Sequence, residues 1–170
     1  MEQKLTSAQG IVTAGGRAAE FPLFLASATE QVLATGVSAG FGLEDDAQLT
    51  KVYLPRDHSL VLKQASTSSN TAEAASKLKL VTQVMAGVHL AAAAEAMSLG
   101  MKVGLEPTKL FEIIATAAGT SRMFVERTPQ LLSGKWASSK TVNDVIADLV
   151  NIETLPPFTT YFKSESRIFG

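Results

Sequence analysis

Lys79 and Gln83 stand four residues apart, so on a helix they share a face one turn from each other. A lysine on a buried helix face loses hydration. Its pKa then falls, which suits it to proton transfer, and an amide one turn away adds a polar contact. The competing reading is a surface lysine whose stem lies along the edge of a bundle with its ammonium in water. His89 follows Gln83 by six positions and points to a different face. No second His, Asp or Glu stands beside it at metal spacing, so no metal site is expected. His89 reads first as a hydrogen-bonded packing residue and second as a substrate contact. Arg122 sits in the run Ser121-Arg122-Met123-Phe124. It either clamps a substrate carboxylate or is a solvated residue at a helix start. Met123 and Phe124, with Trp136, supply apolar wall or core. Ser66 to Ser69 has no His or acid partner at recognisable spacing, so it reads as linker and not as nucleophile.

Composition narrows the classes. The 170 residues are 46% hydrophobic and 18% charged, which excludes a disordered chain and allows one domain with a core. A formal net charge of −1, with Lys and Arg scattered, leaves no footprint for nucleic acid or an anionic membrane. The absence of cysteine removes disulfides, zinc–thiolate sites and thiol nucleophiles. The run Met1-Glu2-Gln3-Lys4-Leu5 has no apolar signal core, so the expected compartment is the cytoplasm. Val84 to Gly104 is apolar, but mostly through alanine, and contains His89, Glu95 and Lys102. A helix buried in protein is expected there, not a membrane span.

The elements that must carry these residues are helical almost throughout, because apolar residues recur at helical spacing and alternating β-branched runs are nearly missing. The pattern predicts a short helix over 2–13 closing at Gly15-Gly16. A second follows over 17–39, with Pro22 in its first turns and a face including Phe24, Leu25, Ala28, Val32 and Leu33. Gly40 and Gly42 end it, and a short helix led by Glu44-Asp45-Asp46 carries Leu49, Val52 and Tyr53 inward. Residues 55–70 read as a linker, and 71–103 as one long central helix. Shorter helices are expected over 108–118 after Pro107, over 121–132, and over 141–153 with Ser139 as cap. The expected domain is residues 1–157, in two helical parts (1–54 and 71–157) around the linker, with 158–170 as an unassigned tail.

The run Lys79-Leu80-Val81-Thr82-Gln83, then Ala86-Gly87-Val88-His89-Leu90 through Glu95-Ala96-Met97, resembles the central helix of the β-hydroxyacid dehydrogenases of the 3-hydroxyisobutyrate and threonate type. Gly104-Leu105-Glu106-Pro107 and Gly119-Thr120-Ser121-Arg122-Met123-Phe124 continue the likeness in order and spacing to about Val150. Gly10-Ile11-Val12, Phe21-Pro22-Leu23 and Gly40-Phe41-Gly42-Leu43-Glu44-Asp45-Asp46-Ala47 are similar to that family's final helices. Those final helices here come first, so the halves stand in reversed order. The resemblance implies an all-α bundle like the C-terminal domain of 6-phosphogluconate and 3-hydroxyisobutyrate dehydrogenases, either circularly permuted or swapped between two chains.

It also implies roles. Lys79 matches the family lysine that acts as acid–base catalyst near the substrate hydroxyl, and Gln83 stands where relatives carry an amide. The family's second lysine, in a Lys-Asp-Leu motif beside the nicotinamide, is replaced at both corresponding places, Ser7-Ala8-Gln9 and Ala147-Asp148-Leu149. No strand–glycine turn–helix unit for a dinucleotide is recognisable. The expectation is a cofactor-independent enzyme, a cyclase or isomerase of biosynthetic metabolism acting on a hydrophobic small molecule. Lys79 and Gln83 would be catalytic, and Arg122, Met123, Phe124 and His89 would bind substrate. A homodimer is expected, since apolar surface left by a missing nucleotide domain must be covered, by a second copy or by the tail. The alternative is a non-catalytic dimerisation or interaction module.

Overall fold

A computed structural model of the chain describes residues 3–54, 71–135 and 141–150. Its order is α1 (Gln3–Ala18), α2 (Phe24–Gly36) running into a π-type turn Val37–Phe41, a 3-10 helix Asp46–Val52, α3 (Thr71–Lys102), α4 (Pro107–Thr116), α5 (Arg122–Ser133) and α6 (Val142–Val150). The described residues are helical with no strand, so the fold is all-α. The linker, the tail, Trp136 and Ser139 fall outside the described residues.

Two groupings follow from the packing. In the first, α1 lies on α2, and α2 on the 3-10 helix; in the second, α4, α5 and α6 gather round α3. The centre of the second is Ala93, Met97 and Phe124, flanked by Leu110, Phe111, Ile114 and Leu131. Met97 is 1% exposed and Phe124 3%, and the Phe111 and Phe124 rings stack with centroids 5.7 Å apart at 21°. Gly100 lets Leu110 of α4 lie close against α3, because a Cβ there would displace the end of the Leu110 side chain.

Capping explains where these helices start. Glu106 accepts from the Thr108 and Lys109 amides at 2.9 and 2.7 Å, and Pro107 takes the first helical position, where no amide is needed. The two backbone hydrogen bonds, Thr108 first, hold the exposed Glu106 carboxyl below its usual pKa. A carboxyl depressed in the fold adds stability above its unfolded pKa, and that stability is lost as pH falls through the folded value. Carbon-detected NMR should therefore see Glu106 titrate below the ordinary value of a glutamate carboxyl. A midpoint at or above that ordinary value would contradict this cap. Ser121 caps α5 through its hydroxyl to the Phe124 amide at 3.1 Å. Thr141 and Asp144 form a reciprocal box at α6, with the Asp144 amide on the Thr141 hydroxyl at 3.2 Å and the Thr141 amide on the carboxylate at 2.6 Å. The cap of α6 is thus Thr141, not the expected Ser139.

Three expectations need correction. The first helix does not close at Gly15-Gly16 but runs through both to Ala18, because Gly16 is where the chain folds back onto Leu23 and a Cβ would strike that side chain. Pro22 lies before α2 and not within its first turns, since the chain reverses over 19–23. Phe24, Ala28 and Tyr53, expected inward, are exposed, whereas Leu25, Val32, Leu33, Leu49 and Val52 are partly covered.

Within α3, Lys77–Lys102 is long and apolar enough to cross a membrane by length and composition alone. Its interior carries Glu95, whose carboxylate is committed to a protein contact, as follows.

Candidate functional site

The N-cap of α2 is Leu23, whose side chain has no acceptor, so the first amides of that helix lack a local partner. Glu95 supplies it from 70 residues away. Its Oε2 accepts from the Leu25 amide and its Oε1 from the Ala26 amide, each at 3.0 Å. A carboxylate at a helix N-terminus also meets the positive end of the helix dipole. This bidentate cap clasps the N-terminal helices to the central helix. Sequence reasoning missed it. The signal was a lone carboxylate amid alanines, together with a helix start that has no Ser, Thr, Asp or Asn.

Lys79 and Gln83 both project from the first half of α3, one turn apart as expected. Lys79 is exposed and Gln83 partly covered, so Lys79 does not occupy the buried face anticipated for it. Its register matches that of Met97, about five turns further along and about 27 Å up the axis. Lys79 therefore extends the face that α4 and α5 cover at the other end. His89 lies between, partly covered, on another side of the helix.

Arg122, Met123 and Phe124 sit at the start of α5, and Phe124 packs with Ala93 and Met97. Arg122 is exposed and pairs with Glu126 one turn on, Nε to Oε1 at 2.6 Å. That hydrogen bond, and then the charge of Glu126, raises its pKa. The guanidinium is turned along its own helix. Phe124 belongs to the core, and Met123 is partly covered. The structure thus separates the expected residues into a Lys79–Gln83 pair and an Arg122–Phe124 group, with most of α3 between them.

A phosphate cradle needs free backbone amides in a glycine turn at a helix N-terminus. Gly15 and Gly16 instead lie inside α1, with Gly16 packed on Leu23. Gly15 and Gly16 therefore form no such cradle. No cluster of three metal-ligating side chains occurs among them.

The family model described as NAD-binding of NADP-dependent 3-hydroxyisobutyrate dehydrogenase matches residues 73–155. The chain is similar to the L-threonate dehydrogenase of Cupriavidus necator, 45% identical over 76 residues, which is 45% of this chain and 26% of that protein. It is similar to the enzyme of the same name from Haemophilus influenzae, 38% identical over 72 residues, or 42% of this chain and 24% of that one. The Escherichia coli K12 enzyme is 35% identical over 74 residues, which is 44% of this chain and 24% of the relative. The chain spans about a quarter of the length of the curated relatives it matches. No solved structure matches it significantly.

Proposed function

Through residues 73–155 this chain belongs to the β-hydroxyacid dehydrogenase family, and from that premise we propose that it presents the family's proton-transfer face without carrying out hydride transfer itself. Lys79 exchanges a proton with a hydroxyl or carbonyl oxygen of a small molecule, and Gln83, one turn on, hydrogen-bonds and orients it. The observation that supports this is the placement of both groups on an open stretch of α3, in register with the covered core face. A ligand lying there would displace water from Lys79 and bring its side-chain nitrogen against the ligand oxygen. Isomerisation or cyclisation of an apolar carbonyl compound in biosynthesis needs only this chemistry, and a cytoplasmic setting accompanies it. Residues 5–54 stand for the family's last helices in permuted order, docked through Glu95.

A panel of apolar ketones and enones, screened by thermal shift, tests the reading. Compounds that stabilise the wild type are expected to lose at least tenfold in affinity on Lys79→Met, while the melting point of the free protein stays put because Lys79 is exposed. Hits indifferent to Lys79→Met and Gln83→Leu would end the proposal. NADH, followed by its own fluorescence, should show no saturable micromolar binding, and saturation there would restore a redox role. The second reading, a non-catalytic association module, is favoured by the separation of Arg122 from Lys79 and by the apolar exposure of α3. It predicts that no compound in the panel binds.

A further inference from the structure

Beyond the Lys79–Gln83 pair, α3 continues the same face as an apolar line. Taking Lys79 as origin, Ala86 stands about 20° round the helix and about 10 Å up its axis. Leu90 stands about 20° to the other side and about 16 Å up, and Met97 lies directly in line. Exposure falls along that line. Lys79 is open; Gln83, Ala86 and Leu90 are partly covered; Met97 and its neighbour Ala93 are buried, at 1% and 7%. The line ends where Leu131 and Leu132 of α5 pack on the cluster of Ala93, Met97 and Phe124. Between Gln83 and Met97 its residues, Ala86 and Leu90, are aliphatic and uncharged. Ala86 has no atom beyond Cβ, so the floor is lowest just past the polar pair.

We infer that this line is a substrate shelf and that Ala86 determines which molecules fit it. They are unbranched apolar carbonyl compounds, with the oxygen at Lys79 and Gln83 and the carbon chain laid over Ala86 towards Leu90. The inference rests on the proton-transfer reading and adds to it the shape and length of the substrate. A carbon chain on the shelf keeps water on one side. Each added methylene therefore gains about half the effect of full burial, or about twofold in affinity. A carboxylate at the far end of the chain would meet no cation on the line, because Arg122 is paired with Glu126 along α5. A leucine at position 86 would raise an isobutyl group into the path of the chain and leave Lys79 and Gln83 in place.

Titrating the full chain with methyl ketones from butanone to nonanone, read by NMR at the Gln83 side-chain amide, tests the shelf. Affinity should rise on the order of thirtyfold across the series, the product of five twofold steps. Ala86→Leu should cost nonanone at least tenfold and butanone less than twofold. Ala92→Leu, on an exposed side of α3 well away from Lys79, should change neither. Should the leucine variant fail to fold, Ala86→Ser is close to alanine in size and puts a hydroxyl under the chain. It should weaken nonanone several-fold and spare butanone. Lys79→Met should weaken both ketones alike. Ketones that depend on Lys79 but gain nothing with length would overturn the shelf alone, as would a gain with length that both Ala86 variants leave intact. Ketones indifferent to Lys79→Met, or a series in which none binds, would overturn the shelf together with the proton-transfer reading.

Discussion

Phe124→Ala is expected to destabilise the protein by about 3–5 kcal/mol, the range for removing a buried aromatic ring from a packed core. The size follows from position. Phe124 is 3% exposed, stacks on Phe111 and closes the cluster made by Ala93 and Met97, where buried side chains of α3 and α5 meet and the partly covered side chains of α4 pack against them. Domains of this size hold roughly 5–15 kcal/mol in total, so one ring accounts for a large share. Urea unfolding followed by circular dichroism should show the midpoint falling with little change in slope. Phe124→Leu, which keeps most of the volume, should recover more than half of the loss. A shift under about 1 kcal/mol for the alanine variant would mean the ring is not in the core.

Glu95→Ala is the second large effect, expected at about 1–3 kcal/mol, because two helix-end amides lose their acceptor while partly covered. The consequence is local as well as global. Glu95 makes the described hydrogen bonds between the N-terminal helices and α3, so its loss should let α1, α2 and the 3-10 helix unfold ahead of the rest. Thermal melting of the variant should broaden into two steps, with the ring NMR signals of Phe124 keeping their native shifts through the first. Glu95→Gln keeps one acceptor oxygen and should fall between. A single sharp transition identical to that of the wild type would mean that the clasp contributes nothing.

The all-α class and the long helix were legible in the sequence because both rest on periodicity, which burial enforces directly. Observed α3 ends at Lys102, one residue short of the expected Val103, since Gly104 admits the positive φ of 85° at which the helix stops. The family likeness was legible in the runs around Lys79 and Ser121, and the family model matches residues 73–155, which include both. The break before α2 was not legible. The helical pattern runs through Arg17 and Phe21, and only the contact of Leu23 with Gly16 turns the chain back. The cap on α2 was hidden for a related reason: local rules search the residues next to a helix start, whereas Glu95 arrives from another element. Lys79 and Gln83 were correctly placed on one turn. The nearness of Arg122 to that pair could not be read from spacing, because it depends on which end of α3 the α5 helix chooses, and Phe124 chooses the end at Met97.

The central claim is that the early and late helices of this chain dock as one body through Glu95. Amide hydrogen exchange at Leu25 and Ala26 tests it most directly, because the second and third amides of a helix have no acceptor within the helix itself. The account predicts that both exchange slowly in the wild type and quickly in Glu95→Ala, with Met97 equally protected in the two proteins. Fast exchange at Leu25 and Ala26 in the wild type would show the two groups of helices undocked.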